Sequence, residues 1–182
     1  MACVANGTTT VTVDCTANTA TTNTTNTTST NTTTNDRIQS FDANLVGTIP
    51  TGIGSGVIVA GAGFELTATG TTPHTIDMTN NGAVSVPLAG VSTGALQLDG
   101  NGGAITYGGS GTVAGGSSNV GLYIANTAGD ITFNGTGKIS SGFASGIYTQ
   151  TTGSGVTTLN IANDVTAPAC SSAPSRPSAS TA

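Results

Sequence analysis

The sequence predicts an all-β protein, a single-stranded parallel β-helix (solenoid) of about four to five coils. The first observation is a pattern of apolar residues that recurs about every 25 residues through the second half of the chain. Within one repeat, successive strands start about eight or nine residues apart, which leaves no room for helices between them. The second observation is composition: the chain has 27 glycines, 6% charged residues and 4% aromatic residues, and Thr, Val, Ile, Gly and Asn replace the residues that favour helices.

Three consecutive repeats show the pattern residue by residue. In residues 105–107 and 131–133, apolar and polar residues alternate, and glycine or asparagine follows. Each strand is therefore expected to bury one face and to expose the other. The expected inward positions are Leu96/Leu98, Ile105/Tyr107 and Val113, then Leu122/Ile124, Ile131/Phe133 and Ile139, then Ile147/Thr149, Val156/Thr158 and Val165.

An earlier coil fits the same template upstream, and a less regular opening coil precedes it. The extra length before Leu96, which contains Pro87 and Gly90, is interpreted as a loop inserted into the earlier coil. The positions assigned to the earlier coil are Leu66/Ala68, Ile76/Met78 and Val84/Val86, and the opening coil is assigned to residues 45–49 and 57–59.

Composition divides the chain into three segments. Residues 1–44 are rich in Thr and Asn and are predicted to be a capping or flexible segment, residues 45–166 form the β-helix, and residues 167–182 form a disordered tail of Pro, Ser and Ala. The sequence shows no secretory signal and no apolar run approaching about 18 residues. We therefore expect a mature or excised piece of a longer product.

Two of the three cysteines, Cys3 and Cys15, flank two strand-like pieces with a turn signal between them. A disulfide that closes this hairpin is sterically reasonable, and it favours an oxidising, extracytoplasmic compartment. The alternative is a pair of reduced, buried cysteines. Cys170, in the tail, is expected to be unpaired.

Parts of the sequence resemble the passenger β-helices of bacterial autotransporters and related surface adhesins. The resemblance is carried by ACV and GTTTVTVDCT in residues 2–16 and by GLYIANT followed by GDITFNG in residues 121–135, and it covers most of residues 1–165. It implies a right-handed parallel β-helix that is secreted or displayed on the extracellular side of a Gram-negative outer membrane. An outer-membrane barrel is expected in a full-length relative; none follows Val165 here, so a fragment or another export route is expected.

From this resemblance we expect a non-catalytic structural stalk or an adhesin-like passenger fragment, whose partners are host-surface or matrix glycans or proteins.

The register predicts which outward side chains line up. Gln97, Tyr123 and Tyr148 are expected to form one ladder, whose two exposed rings give a stacking platform for a sugar ring or an apolar group. The alternative is that the rings stack only on each other and stiffen the helix.

A second outward ladder raises a third function, ice binding, which needs flat ranks of hydroxyl groups. With one threonine per coil the ladder is sparse for that purpose, and its members are Thr106, Thr132 and Thr157.

The acidic residues offer only a weak catalytic pair. Asp99 and Asp130 lie in turns one coil apart, where aspartate usually bonds to the backbone. A polysaccharide lyase would need a base, and Lys138 is the only basic residue in the coils, without clustered acids around it. We therefore expect no enzymatic activity, and the alternative function is a carbohydrate-active β-helix of the lyase or glycosidase type.

Charge and isolated residues exclude further classes of function. The net charge of −5, with three Lys and Arg residues in total, argues against nucleic-acid binding. His74 stands alone next to Pro73, so we expect a solvated loop histidine and neither a metal site nor another cofactor. Lys138 and Asp164 are expected to form an exposed ion pair. The apolar ends of the coil stack make end-to-end self-association an expected hazard.

Overall fold

The computed structural model describes residues 2–17, 25–26, 38–52, 64–85, 94–117, 119–143 and 145–168. These residues form β-strands, turns and bends, with no helix among them, so the predicted all-β class is confirmed. The strands are β1 Ala2–Asn6, β2 Thr10–Ala17, β3 Thr25–Asn26, β4 Ile38–Phe41, β5 Asn44–Ile49, β6 Phe64–Ala68, β7 Ile76–Asn80, β8 Ala83–Ser85, β9 Gly94–Asp99, β10 Ile105–Gly109, β11 Thr112–Ala114, β12 Val120–Asn126, β13 Ile131–Gly135, β14 Ile139–Ser140, β15 Ile147–Thr151, β16 Thr157–Leu159 and β17 Val165–Thr166.

The strands build three sheets that form the sides of a β-solenoid. The seven-stranded sheet has the order β1-β2-β5-β7-β10-β13-β16, the six-stranded sheet β15-β12-β9-β6-β4-β3, and the four-stranded sheet β17-β14-β11-β8. Neighbouring strands are parallel except β1 and β2. Because strands that follow one another in sequence from β6 onward lie in different sheets, the chain passes each sheet once per coil, and four complete coils begin at β6, β9, β12 and β15.

The apolar repeat sets the register of the central coils. Leu122 pairs with both Leu96 and Ile147 in the six-stranded sheet, and Ile105 pairs with Ile131 in the seven-stranded sheet. These are the predicted alignments. Inward side chains of neighbouring coils therefore stack on one another along the solenoid axis, and the outward side chains form ladders in the same way.

The predicted register of the last coil is wrong by one residue. Ile131 pairs with Thr157 rather than with Val156, because five residues join β15 to β16 whereas four join β12 to β13. Leu159 consequently takes the inward position next to Phe133, and Val156 is exposed. The predicted threonine ladder is corrected accordingly, since Thr158 and not Thr157 lies beside Thr132.

The first complete coil is shifted by two residues from its predicted register. Leu66 pairs with Leu98 and Phe64 pairs with Leu96, whereas the sequence template placed Leu66 at the position of Leu96. The cause is the corner between β6 and β7, which holds the seven residues 69–75, against five between β9 and β10. A register shift of two residues keeps the same side chains facing inward, so the residues predicted for the core are still buried. The outward side chains, however, acquire different neighbours.

The N-terminal end of the solenoid is an antiparallel hairpin. β1 and β2 are joined by the Cys3–Cys15 disulfide, and β2 continues into the parallel sheet by pairing with β5. The hairpin thus caps this end, which is one of the two alternatives considered for the N-terminal segment. Residues 45–49 form most of β5, as the opening-coil interpretation required, whereas residues 57–59, Val86 and the inserted loop lie outside the described residues.

The core is a column of apolar side chains enclosed by the three sheets. At its centre the rings of Tyr107 and Phe133 stack with their centroids 5.3 Å apart and their planes 6° apart, as the register predicted. The one buried polar neighbour of this stack is Asn80, whose Nδ2 donates a hydrogen bond to the Tyr107 hydroxyl oxygen at 3.2 Å. Every coil but the last thus encloses its inward side chains, which makes the solenoid wall a rigid support for its outer faces.

Candidate functional site

The outer face of the six-stranded sheet carries the densest group of polar and aromatic side chains in the described part of the chain. Two outward ladders run side by side along the solenoid axis, two residues apart on each strand. We call this surface the tyrosine face, and it consists of Glu65, Gln97, Tyr123 and Tyr148 in the first ladder and Thr67, Asp99, Ala125 and Gln150 in the second. Because strand spacing fixes the ladders, the side chains are held at intervals of about 4.8 Å along the axis.

The two tyrosine rings stack on each other. Their centroids lie 5.2 Å apart and their planes differ by 3°. Aromatic carbons in contact are about 3.5 Å apart, so rings with this centroid separation are offset. One face of Tyr123 therefore packs against Tyr148, and Tyr123 is half-buried. Tyr148 is 41% exposed and lies on β15, the last strand of its sheet, so it presents the more accessible ring.

Side-chain hydrogen bonds order the polar groups around the rings. Gln97 Nε2 donates to Asp99 Oδ2 at 2.5 Å, and the Thr67 hydroxyl donates to Glu65 Oε1 at 3.3 Å. On the last strand, the Tyr148 hydroxyl donates to Gln150 Oε1 at 3.2 Å. All three bonds join the two ladders within one strand, so they fix the side chains that flank the rings.

The carboxylic acids of this face have perturbed acidities. Burial raises the pKa of Glu65, the nearby Asp99 raises it further, and the hydrogen bond from Thr67 lowers it. Burial also raises the pKa of Asp99, against the lowering effect of its bond from Gln97. The pKa of Tyr123 is raised by burial first, then by Asp99 and by Tyr148. Ionised groups are therefore disfavoured on this face, which is a property common at functional sites.

Ala125 leaves a gap in the second ladder. It lies between Asp99 and Gln150 in register, and two residues from Tyr123 on the same strand. The register thus places a small side chain between a carboxylate and an amide group, beside the Tyr123 ring. Such a surface can stack an apolar ring face while it donates and accepts hydrogen bonds at the ring's edge.

The predicted ladder of Gln97, Tyr123 and Tyr148 is present, while a role in binding stays a prediction. Two exposed rings that form a flat platform were expected, with stacking of the rings on each other as the alternative; in the structure the rings stack, and Tyr148 covers part of Tyr123. Glu65 and Gln150 were missed. Glu65 was not predicted because the sequence repeat was aligned two residues out of register at Leu66. Matching the Phe64/Leu66 pair to Leu96/Leu98 would have placed Glu65 beside Gln97.

The candidate pair of Asp99 and Asp130 is not brought together. Asp99 ends β9 on the tyrosine face and accepts a bond from a side chain, contrary to the expected bond to the backbone. Asp130 lies beyond the corner, before β13 of the seven-stranded sheet, and its Oδ1 accepts a hydrogen bond from the Val156 backbone N–H at 2.8 Å. The acid that neighbours Asp99 electrostatically is Glu65.

His74 differs from its prediction as a solvated loop residue. Its side chain is 16% exposed, and its Nε2 lies 2.8 Å from Asp42 Oδ1, across the corner between the six- and seven-stranded sheets. Asn101 anchors the same corner by accepting a hydrogen bond from the His74 backbone N–H at 2.8 Å. These contacts hold together the corner between β6 and β7, the one that shifts the register of the first complete coil.

The ion pair expected between Lys138 and Asp164 is absent. Lys138 and Asp164 are aligned in the four-stranded sheet's register, yet these two described residues form no ion pair. In the described ranges no group of three or more His, Cys, Asp or Glu residues is placed to hold a metal ion.

A search for membrane-crossing helices among the described residues found none that is long and apolar enough. No protein-family model, no curated protein and no solved structure matches this chain. The class defined by the structure is thus a parallel β-solenoid with an aromatic and acidic outer face, and function has to be argued from that face.

Proposed function

We propose that this chain is a non-catalytic, extracytoplasmic β-helix, of the kind found as the passenger domain of autotransporters and related adhesins, that serves as a stalk and binds glycans through the tyrosine face. The observation that carries the proposal is the Tyr123–Tyr148 stack, which is flanked by Gln97, Asp99 and Gln150 in register. An aromatic ring beside amide and carboxylate groups suits a sugar ring, which has apolar C–H faces and hydroxyl groups at its edge.

The rest of the solenoid supports a structural role. Four coils of parallel strands give a rod with uniform sides, and the Cys3–Cys15 disulfide is typical of proteins outside the cytosol. Display on the surface of the producing cells, or release from them, is therefore part of the proposal. Antibody labelling of intact producing cells and of their medium tests it, and a signal found only after cell lysis would contradict it.

The binding experiment uses purified protein against an immobilised panel of oligosaccharides, followed by calorimetry with the best ligand. Tyr148→Ala is expected to lower affinity about two- to tenfold, because contacts of an aromatic ring contribute about 0.5–1.5 kcal/mol beyond the area they bury. Phe143→Ala is the matched control, since Phe143 is an exposed aromatic that lies between β14 and β15, outside the ladders. Equal losses in the two variants, or no binding to any glycan, would sink the proposal.

A second candidate function rests on the two neighbouring carboxyl groups. Glu65 and Asp99 occupy diagonal positions on adjacent strands, which places their α-carbons about 8 Å apart. An inverting glycosidase uses two carboxyl groups about 6.5–9.5 Å apart, of which one protonates the leaving oxygen and the other activates water. The register fixes the α-carbons of this pair, and their side chains project from the same face of the sheet. The raised pKa of Glu65 fits the acid role. Lys138 precedes β14 of another sheet, so a lyase gains no base here.

Turnover of a polysaccharide panel tests this candidate. Glu65→Gln is expected to abolish hydrolysis, whereas Asp77→Asn, which changes an exposed acid on the seven-stranded sheet, is expected to leave it unchanged. Absence of hydrolysis by the unmodified protein across the panel would leave the non-catalytic proposal standing alone.

A further inference from the structure

The last coil is the open end of the solenoid. Its strands β15, β16 and β17 are each the outermost strand of their sheet. One edge of each therefore carries backbone N–H and C=O groups with no further strand beside it among the described residues. Free sheet edges pair readily with another strand, which makes this coil a natural site of association.

Exposed large hydrophobic side chains cluster in the same coil. Leu159 and Val165 occupy inward positions, next to Phe133 and Ile139 of the preceding coil, but nothing among the described residues lies beyond them. Together with nearby loop residues they form an apolar end, whose exposed members are Phe143, Tyr148, Val156, Leu159, Ile161 and Val165. No other part of the described chain exposes large hydrophobic side chains in this way.

The opposite end differs in chemistry. The apolar side chains that the structure describes in the N-terminal hairpin are fully buried, namely those of Cys3, Ala5, Val11, Val13 and Cys15. β1 also runs antiparallel to the strands of its sheet, so the parallel repeat stops there. An apolar last coil gains little by meeting this hairpin. The surface that complements it best is a second apolar last coil.

Area and charge both permit such a contact. A fully exposed aromatic side chain has an area of about 200 Å², and an aliphatic one somewhat less. Scaled by their exposed fractions, the exposed members offer up to roughly 500 Å² of apolar surface per copy. A standard interface buries about 800 Å² per partner, of which about 60% is apolar, so the amount is what a specific dimer needs. Asp164 is the only charged residue between positions 139 and 168, so repulsion between two like ends is small.

We propose that two copies of this chain associate end to end through their last coils about a two-fold axis, and that the assembly stops at two. A two-fold axis brings an edge strand beside its own copy in the antiparallel direction, which forms a regular ladder without any change in the coil. Because the described residues form one apolar end in each copy, a dimer is expected to leave no such end free for further growth. The proposal does not depend on glycan binding.

Sedimentation equilibrium and light scattering over a concentration series, without any glycan, test the assembly. The expected result is a concentration-dependent mass that levels off at twice the chain mass. Val156→Lys combined with Ile161→Lys adds charge at two exposed positions of the apolar end and is expected to weaken dimerisation at least about tenfold. Circular dichroism and thermal unfolding establish that the variant is folded.

The matched control adds the same charge elsewhere. Thr72→Lys combined with Thr112→Lys changes two exposed residues of earlier coils and is expected to leave the dimer intact. A monomer at every concentration, growth beyond two copies, or equal weakening in both double variants would each overturn the proposal. Tyr148 belongs to both surfaces, so loss of the dimer with glycan binding retained would confirm that glycan binding does not require the dimer.

Discussion

Tyr107 links the stability of the solenoid to alkaline pH. Its ring lies in the core against Phe133 and is 1% exposed, and its hydroxyl accepts a hydrogen bond from Asn80. Burial raises the pKa of Tyr107 from 10.0 to about 12, although the Asn80 bond lowers it. The hydroxyl therefore keeps its proton in the folded protein at pH values where the unfolded chain has already released it.

The size of the effect follows from this difference in pKa. Below pH 10 both states hold the proton, so the stability contribution is complete; it then falls as pH rises through the folded value. At about pH 11 the loss is about 1.4 kcal/mol, and it approaches about 2.7 kcal/mol above the folded pKa. Since the chain contains three tyrosines, no tryptophan and one lysine between residues 45 and 166, few other groups titrate in this window.

Urea unfolding of the wild type and of Tyr107→Phe between about pH 9 and pH 11 measures the effect. At pH 9 the variant is expected to be less stable by about 1–2 kcal/mol, because Asn80 loses its hydroxyl acceptor. At pH 11 the gap is expected to shrink by about 1.4 kcal/mol. Tyr148→Phe, at an exposed ring, is the control and is expected to follow the wild type. A constant gap between wild type and Tyr107→Phe at every pH would refute the reasoning.

Three further predictions concern the core, the cap and the tyrosine face. A β-carbon at Gly135 would lie 2.7 and 2.9 Å from atoms of the two stacked core rings. Gly135→Ala is therefore expected to lower the urea-derived free energy of unfolding by about 1–3 kcal/mol. A β-carbon at Gly108 would meet no atom within 4 Å, so the control Gly108→Ala is expected to have little effect. Cys15→Ala, with the partner cysteine also replaced, is expected to lower the same quantity by about 2–3 kcal/mol, because the disulfide closes a loop with a sequence separation of 12; equal stabilities would contradict this. Asp99→Asn is expected to lower the pKa of Glu65 in an NMR titration, since it removes a neighbouring negative charge, and an unchanged titration curve would count against the geometry of the tyrosine face.

The repeat made the architecture predictable, because burial depends only on which face of a strand points inward. Alternation in segments such as residues 105–107 sets that face, and an error of two residues leaves it unchanged. This is why the Leu66 coil was assigned to the core correctly although its register was wrong. The Tyr107–Phe133 stack followed from the same arithmetic.

The candidate site was less predictable, because an outer ladder depends on the length of every corner. The tyrosine pair was found because Leu122/Ile124 and Ile147/Thr149 align directly and hold Tyr123 and Tyr148 between them. Glu65 lies beyond the long corner that contains His74, and the contact of His74 with Asp42 is not encoded in any periodic pattern. Corner contacts between residues 32 positions apart decide the register there, and a local pattern does not contain them.

The two carboxyl groups give the strongest reason to regard the tyrosine face as functional rather than structural. A raised pKa means that the folded state favours the protonated acid, so the stability that Glu65 and Asp99 contribute is present at low pH and is lost as pH rises through their folded values. At neutral pH both groups therefore destabilise the fold relative to uncharged isosteres. A stalk alone would be more stable with amides at these positions. Two partly buried acids beside an aromatic stack are better explained by contact with a ligand. A gain in stability on Glu65→Gln accompanied by a loss of glycan binding is the combination that this explanation requires.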